Sequence, residues 1–108
     1  MLSHDVFFTL RDPSHDAIQA LLQSCYANLR DHEGVLFFSA GVLEADLDRP
    51  VNDQAFHVAL HVTFRDRAAH DLYQVAPEHQ AFIEENEANW AQVRVFDSSV
   101  NGGAGRSD

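Results

Sequence analysis

The chain has 108 residues, 45% hydrophobic and 22% charged, with 17 acidic against 7 basic side chains and a formal charge of −10. That length fits one domain with a modest core. The charge repels phosphate backbones and anionic lipid, and no cluster of Lys or Arg offsets it, so nucleic acid is not an expected partner. No apolar run approaches the roughly 20 residues that span a bilayer, so no membrane segment is expected.

The N-terminus runs from Met1 almost directly into a strand-like segment, without the basic and apolar regions of a signal peptide. The lone Cys25 cannot form an internal disulfide. Both point to a cytoplasmic protein. In Ser3–Leu10, one parity carries His4, Val6, Phe8 and Leu10, and the other Asp5, Phe7 and Thr9, the pattern of a strand covered mainly on one side. Asp12-Pro13 then predicts a helix start, with Asp12 as N-cap and Pro13 at the first helical position. Ile18, Leu21, Leu22, Cys25 and Leu29 form its amphipathic stripe, which makes Cys25 a small buried hydrophobe rather than a nucleophile. Gly34 is expected to stop that helix in a left-handed conformation.

Val35–Val42 reads as a second strand, apolar on both parities at Leu36-Phe37-Phe38. The stretch from Leu43 to Ala55, with Pro50, Asn52, Glu44, Asp46, Asp48 and Asp53, predicts a long exposed connection. Phe56, Val58, Leu60, Val62 and Phe64 then alternate with His57, Ala59, His61 and Thr63, the clearest strand in the chain. Asp66 is placed to cap a short helix reaching Tyr73. Pro77 ends it and opens another that carries His79, Phe82, Ile83, Asn86 and Trp90 along one side. A last strand is expected over Gln92–Asp97. The tail from residue 99, ending Asn101-Gly-Gly-Ala-Gly-Arg-Ser-Asp108, is predicted to be disordered, leaving residues 1–98 as the domain.

The order is β-α-β-β-α-β, which predicts a ferredoxin-like α+β fold: a four-stranded antiparallel sheet with helices on one face. Phe7, one parity of the second strand, and Phe96 leave the other face apolar, so the expectation is a homodimer joined through that open face into a dimeric α+β barrel.

Tyr73-Gln-Val-Ala-Pro77-Glu-His79 carries the chemistry. On a continuous helix, positions six apart lie about 240° around the axis, and the two rings would face different ways. A bend at Pro77 can bring the phenol and the imidazole into one pocket. The same residues also read as a simple turn, a half-exposed cap histidine and a core tyrosine; spacing alone leaves both readings open. His57 and His61 are about 13 Å apart on a strand, too far for one ion. They are expected instead to line the inter-subunit barrel, paired with Asp5 and Arg94. His15, His32 and His70 are expected at solvated positions. No metal-ligand spacing, phosphate loop or Ser-His-Asp arrangement is present, and Gly102-Gly-Ala-Gly105 has no strand before it or helix after it.

Taken together, Ser3-His4-x-Val-x-Phe, Tyr26-Ala-Asn-Leu29, Val62-Thr-Phe64, Tyr73-x3-Pro77-x-His79-x2-Phe82 and Trp90-x2-Val-x-Val-Phe-Asp97 resemble the stress-responsive A/B barrel domain family over about residues 3–97. The resemblance implies a homodimer of unassigned activity with a small-molecule pocket between helices and sheet, and no cofactor. In a plant polyketide cyclase of the family, a catalytic tyrosine and histidine match Tyr73 and His79. By the same carry-over His4, Tyr26, Leu60, Val62, Phe82, Trp90, Val93 and Val95 are pocket-wall positions. Many members have a histidine where this chain has Val58; here it stands one residue earlier, at His57, and strand alternation sends it to the opposite face. A further alternative is a monooxygenase-like barrel acting on an aromatic substrate or haem. In the cyclase or lyase reading, His79 takes a proton from carbon beside a carbonyl and Tyr73 bonds the developing enolate oxygen. For His4, the competing readings are ligand contact and a core or interface histidine satisfied by a backbone partner.

Overall fold

The computed structural model describes residues 1–102. Its elements run β1 (Leu2–Leu10), α1 (His15–Leu29), β2 (Val35–Val42), β3 (Val58–Phe64), α2 (Arg67–Val75), α3 (Pro77–Asn86), a 3-10 turn (Glu87–Asn89) and β4 (Trp90–Ser99). All strand pairs are antiparallel in the order β2-β3-β1-β4, the ferredoxin-like arrangement expected. Among the described residues no helix is long and apolar enough to cross a membrane.

The register decides which side chains meet. His4, Val6 and Phe8 pair with Val62, Leu60 and Val58 on one side and with Asp97, Val95 and Val93 on the other, so all of these share the helix-covered face. Phe8, Val58, Leu60, Val62 and Phe64 are buried there against Leu21, Cys25, Leu29, Tyr73 and Phe82. On the opposite face lie Asp5, Phe7, His61, Arg94 and Phe96. The Phe7 ring sits 5.0 Å from Phe56 and 5.8 Å from Phe96.

Several boundaries differ from the expected ones. Helix α1 is capped by Ser14, whose Oγ accepts from the Ala17 N–H at 3.2 Å. Asp12 instead accepts from the Ser14 N–H, forming the turn before the helix, while Asn89 pins the Asp12 backbone through N–H and C=O. Two capping side chains compete within three residues, and tertiary anchoring of Asp12 decides between them. The helix ends at Leu29. Gly34 does adopt φ +87°, but in the His32–Val35 turn, where an added Cβ would lie 2.4 Å from that of Ala69.

Strand β3 begins at Val58, not Phe56, and the Phe56 ring crosses to the outer face beside Phe7. His57 caps the neighbouring strand instead of lining an outer barrel: its Nδ1 accepts from the Leu10 N–H at 3.0 Å, where the β1–β4 ladder shifts register. Arg94 therefore pairs with Asp53 at 2.7 Å, whereas His61 does pair with Asp5, also at 2.7 Å. Trp90 belongs to β4, which starts two residues early and runs through Ser99. The Val100 N–H reaches the Met1 carbonyl, so the first residues of the expected tail extend the sheet. The rest of that tail, residues 103–108, lies outside the described residues.

Candidate functional site

The break at Pro77 forms as the residues imply. Ala76 is extended (φ −65°, ψ 145°), as the residue before a proline prefers, and serves as both the end of α2 and the N-cap of α3. Asp66 starts α2 by accepting from the Ala69 N–H at 2.9 Å. The result sets the Tyr73 and His79 rings edge to face with centroids 4.9 Å apart.

Both rings border a cavity of about 400 Å³ between α2, α3 and the β1–β4 half of the sheet. Of the expected wall positions, His4, Leu60, Phe82, Trp90, Val93 and Val95 line it with them. Tyr26 and Val62 do not. Tyr26 stands on the outer side of α1, its ring 5.1 Å from Phe38 and its hydroxyl donating to the Ala40 carbonyl at 3.3 Å. Val62 is sealed in the core, between His4 and Phe38 in the register. Both belong to the β2–β3 half of the sheet, which α1 fills; the hollow lies under the other half.

The structure adds residues that the sequence reading missed. Asp97 follows Val93 and Val95 at the same strand parity, and its carboxylate lies 2.6 Å from His4 Nδ1. His4 is thus held by a carboxylate, not by a backbone group. His70, expected in solvent, precedes Tyr73 by three helical positions and therefore shares its face. Its ring is 5.2 Å from that of His4, and its Nδ1 is 3.0 Å from Asp71. His32, also expected in solvent, turns inward to stack 5.2 Å from Tyr73 and bonds the Asn28 carbonyl through Nε2. The signals available were the i, i+3 spacing of His70 and Tyr73 and the parity of Asp97.

Electrostatics follow from enclosure. Burial, with His4, His32 and His70 nearby, holds the His79 imidazole below its ordinary pKa of 6.5, so it favours the neutral form. Burial pushes the Tyr73 phenol well above its usual value of 10, with Cys25 adding to the effect, so the phenol keeps its proton. The Cys25 thiol is pushed up to about 12 by burial and stays inert. Among the described residues, His79 Nδ1 and Trp90 Nε1 are enclosed without a hydrogen-bond partner. One donor atom each from His4, His70 and Asp97 falls within 4.8 Å of the others. However, the 2.6 Å contact between His4 and Asp97 is a hydrogen bond, shorter than the roughly 3.3 Å between ligand atoms around a tetrahedral ion with 2.0 Å bonds. The group is disposed to hold a proton.

Fold and site together define a small ferredoxin-like α+β domain with a histidine- and tyrosine-lined hollow beneath one edge of its sheet. The chain belongs to the Stress Responsive A/B Barrel Domain family, whose sequence model matches residues 2–100. It is similar to a protein of that family with a ferredoxin-like fold from Mesorhizobium loti, at 25% identity, TM-score 0.75, and 94% and 97% coverage of this chain and that one. A dimeric ferredoxin-like protein of unknown function from Jannaschia sp. shares 23% identity and a TM-score of 0.74 over 92% and 98% of the two chains. The hydroxynitrile lyase of Passiflora edulis shares 21% identity and a TM-score of 0.73 over 94% of each. Among curated proteins no match is found.

Proposed function

We propose that this domain binds a small, uncharged, oxygen-bearing molecule such as a phenol or ketone in the hollow beside Tyr73 and His79, and works as a homodimer joined through the outer sheet face. The observation carrying the reading is the cavity itself. About 400 Å³ of largely apolar space with a few convergent polar groups is the make-up of a small-molecule site. Its described wall contains no Lys or Arg to neutralise an anion, and a carboxylate, Asp97, stands at one side. That favours a neutral ligand. The dimer is supported by the outer aromatic group, with Phe37 and Phe96 both more than half exposed, and by the dimeric relative from Jannaschia. The single buried thiol suits a reducing compartment such as the cytoplasm.

The catalytic form of the reading is a cofactor-free cyclase or lyase. An imidazole takes a proton from carbon next to a carbonyl, and the protonated phenol of Tyr73 bonds the oxygen where charge develops. It is favoured over passive binding by the placement of protonatable groups around one hollow, and the similar fold of the Passiflora hydroxynitrile lyase supports an enzymatic reading of this scaffold.

Trp90 is the only tryptophan and borders the cavity, so its fluorescence reports on occupancy. Titration with 2-naphthol and with benzoylacetone should give saturable quenching that is weakened at least tenfold in Val95→Phe, which fills the hollow. Quenching that never saturates, or that is unchanged in the filled variant, would remove the small-molecule reading.

A further inference from the structure

We infer that His70 and Gln74 set the specificity of the cavity by gripping a hydroxyl group, which the ligand carries besides the oxygen that meets Tyr73. This deepens the small-molecule reading above and rests on it. The two residues stand one helical turn apart on α2, so they share a face with Tyr73, and all three line the hollow. Both are half-buried, whereas Tyr73 is sealed at its inner side.

The duty of each group follows from the bonds it already makes. His70 Nδ1 lies 3.0 Å from the Asp71 carboxylate. Arg67 bonds the same carboxylate at 2.8 Å, and Arg67 first, then His70, hold Asp71 below the usual carboxylate range. An ionised carboxylate only accepts, so the His70 proton sits on Nδ1 and Nε2 keeps a lone pair. The atom facing that lone pair is the amide nitrogen of Gln74, a donor, at 3.5 Å. A well-made hydrogen bond from nitrogen spans about 2.7–3.2 Å, so neither group is fully satisfied by the other.

The cavity wall therefore offers an acceptor and a donor side by side. A ligand atom that both gives and takes a hydrogen bond meets the two of them, and a hydroxyl oxygen is such an atom. A carbonyl or ether oxygen accepts from Gln74 but leaves His70 Nε2 unmet. An ammonium group donates to His70 and gives the Gln74 amide nothing. A carboxylate fails in the same way as a carbonyl, and it would also meet Asp97 in the same wall. A ligand with no hydroxyl at this point strips the pair of solvent without replacing it, which costs affinity.

His70 also packs its ring 5.2 Å from His4 and 5.6 Å from Phe64, so a purely structural role must be told apart from recognition. Phenylalanine keeps that packing and lacks the lone pair.

Calorimetric titration with matched naphthalenes makes the distinction. The set is 2-naphthol, the dihydroxynaphthalenes that retain its hydroxyl, and the ethers in which the second hydroxyl is methylated. At least one diol should bind about tenfold more tightly than 2-naphthol and than its own ether, the size of two hydrogen bonds exchanged with water. His70→Phe should erase that preference and leave 2-naphthol within about twofold, and Gln74→Leu should reduce it through the donor alone. In nitrogen-15 NMR, His70 should be the Nδ1–H tautomer, and its Nε2 signal should move with the preferred diol but not with 2-naphthol. Diols that bind no better than 2-naphthol, or a preference that survives both substitutions, overturn the inference and leave the small-molecule reading standing. Protein that binds none of these compounds removes both.

Discussion

Strands β3 and β4 place valines on the same face of the same sheet, yet their fates differ. Val58 and Val62 are fully buried, while Val95 is 50% exposed. The cause is where the helices lie. Helices α1 and α2 pack over β2 and β3, whereas β4 reaches past them at the sheet edge. One half of the layer is therefore solid core and the other overhangs a hollow. A valine holds the protein together in the first place and is free to touch a ligand in the second.

Mutations can break or sharpen that contrast. The largest effect is expected at Phe64, buried on β3: Phe64→Ala should cost about 3–5 kcal/mol in urea unfolding. A cost below about 1 kcal/mol would mean that the solid half is not the stabilising one. Gly34→Ala comes next, at about 1–3 kcal/mol. The new Cβ would meet Ala69 where β2 approaches α2, at a φ that disfavours side chains. On the outer face, Phe96→Arg should shift the mass measured by light scattering from dimer to monomer with little change in the fold; a mass that stays at twice the chain would move the interface elsewhere.

Acid should separate the two halves further. The folded pKa of His79 lies below its ordinary 6.5, so the unfolded chain takes up a proton first, and the contribution of His79 is fully present above about 6.5. Stability should then decline as pH falls from there toward the lower folded value, and His79→Gln should flatten that limb of the unfolding profile. The smallest stability change is expected for Val95→Ala, under about 1 kcal/mol, because its side chain is half exposed already. If instead it matched a core truncation, β4 would belong to the sealed layer after all.

Much of this was readable from residue order. The strand parities of β1 and β3, the Asp66 cap and the Pro77 break rest on local rules and appear as expected. The break left two readings open for Tyr73 and His79, a shared hollow or a plain turn, and the fold sets both rings beside one cavity. What went unread was set by neighbours far along the chain. Asp12 lost the cap because Asn89 holds its backbone. His57 turned to the Leu10 amide because the β1–β4 ladder slips there. His32 and His70 looked like surface histidines, and only the packing of both helix ends around Tyr73 brings them inward.

The order of elements, the face each strand buries and the kink between the last two helices come from periodicity, turn chemistry and the missing N–H of proline, all of which act within a few residues. Which half of the sheet would be filled, and which histidines would meet a carboxylate, could be decided only by tertiary packing. Those outcomes turn on contacts such as that of His4 with Asp97, 93 positions apart, which bring a buried imidazole against a partly exposed carboxylate.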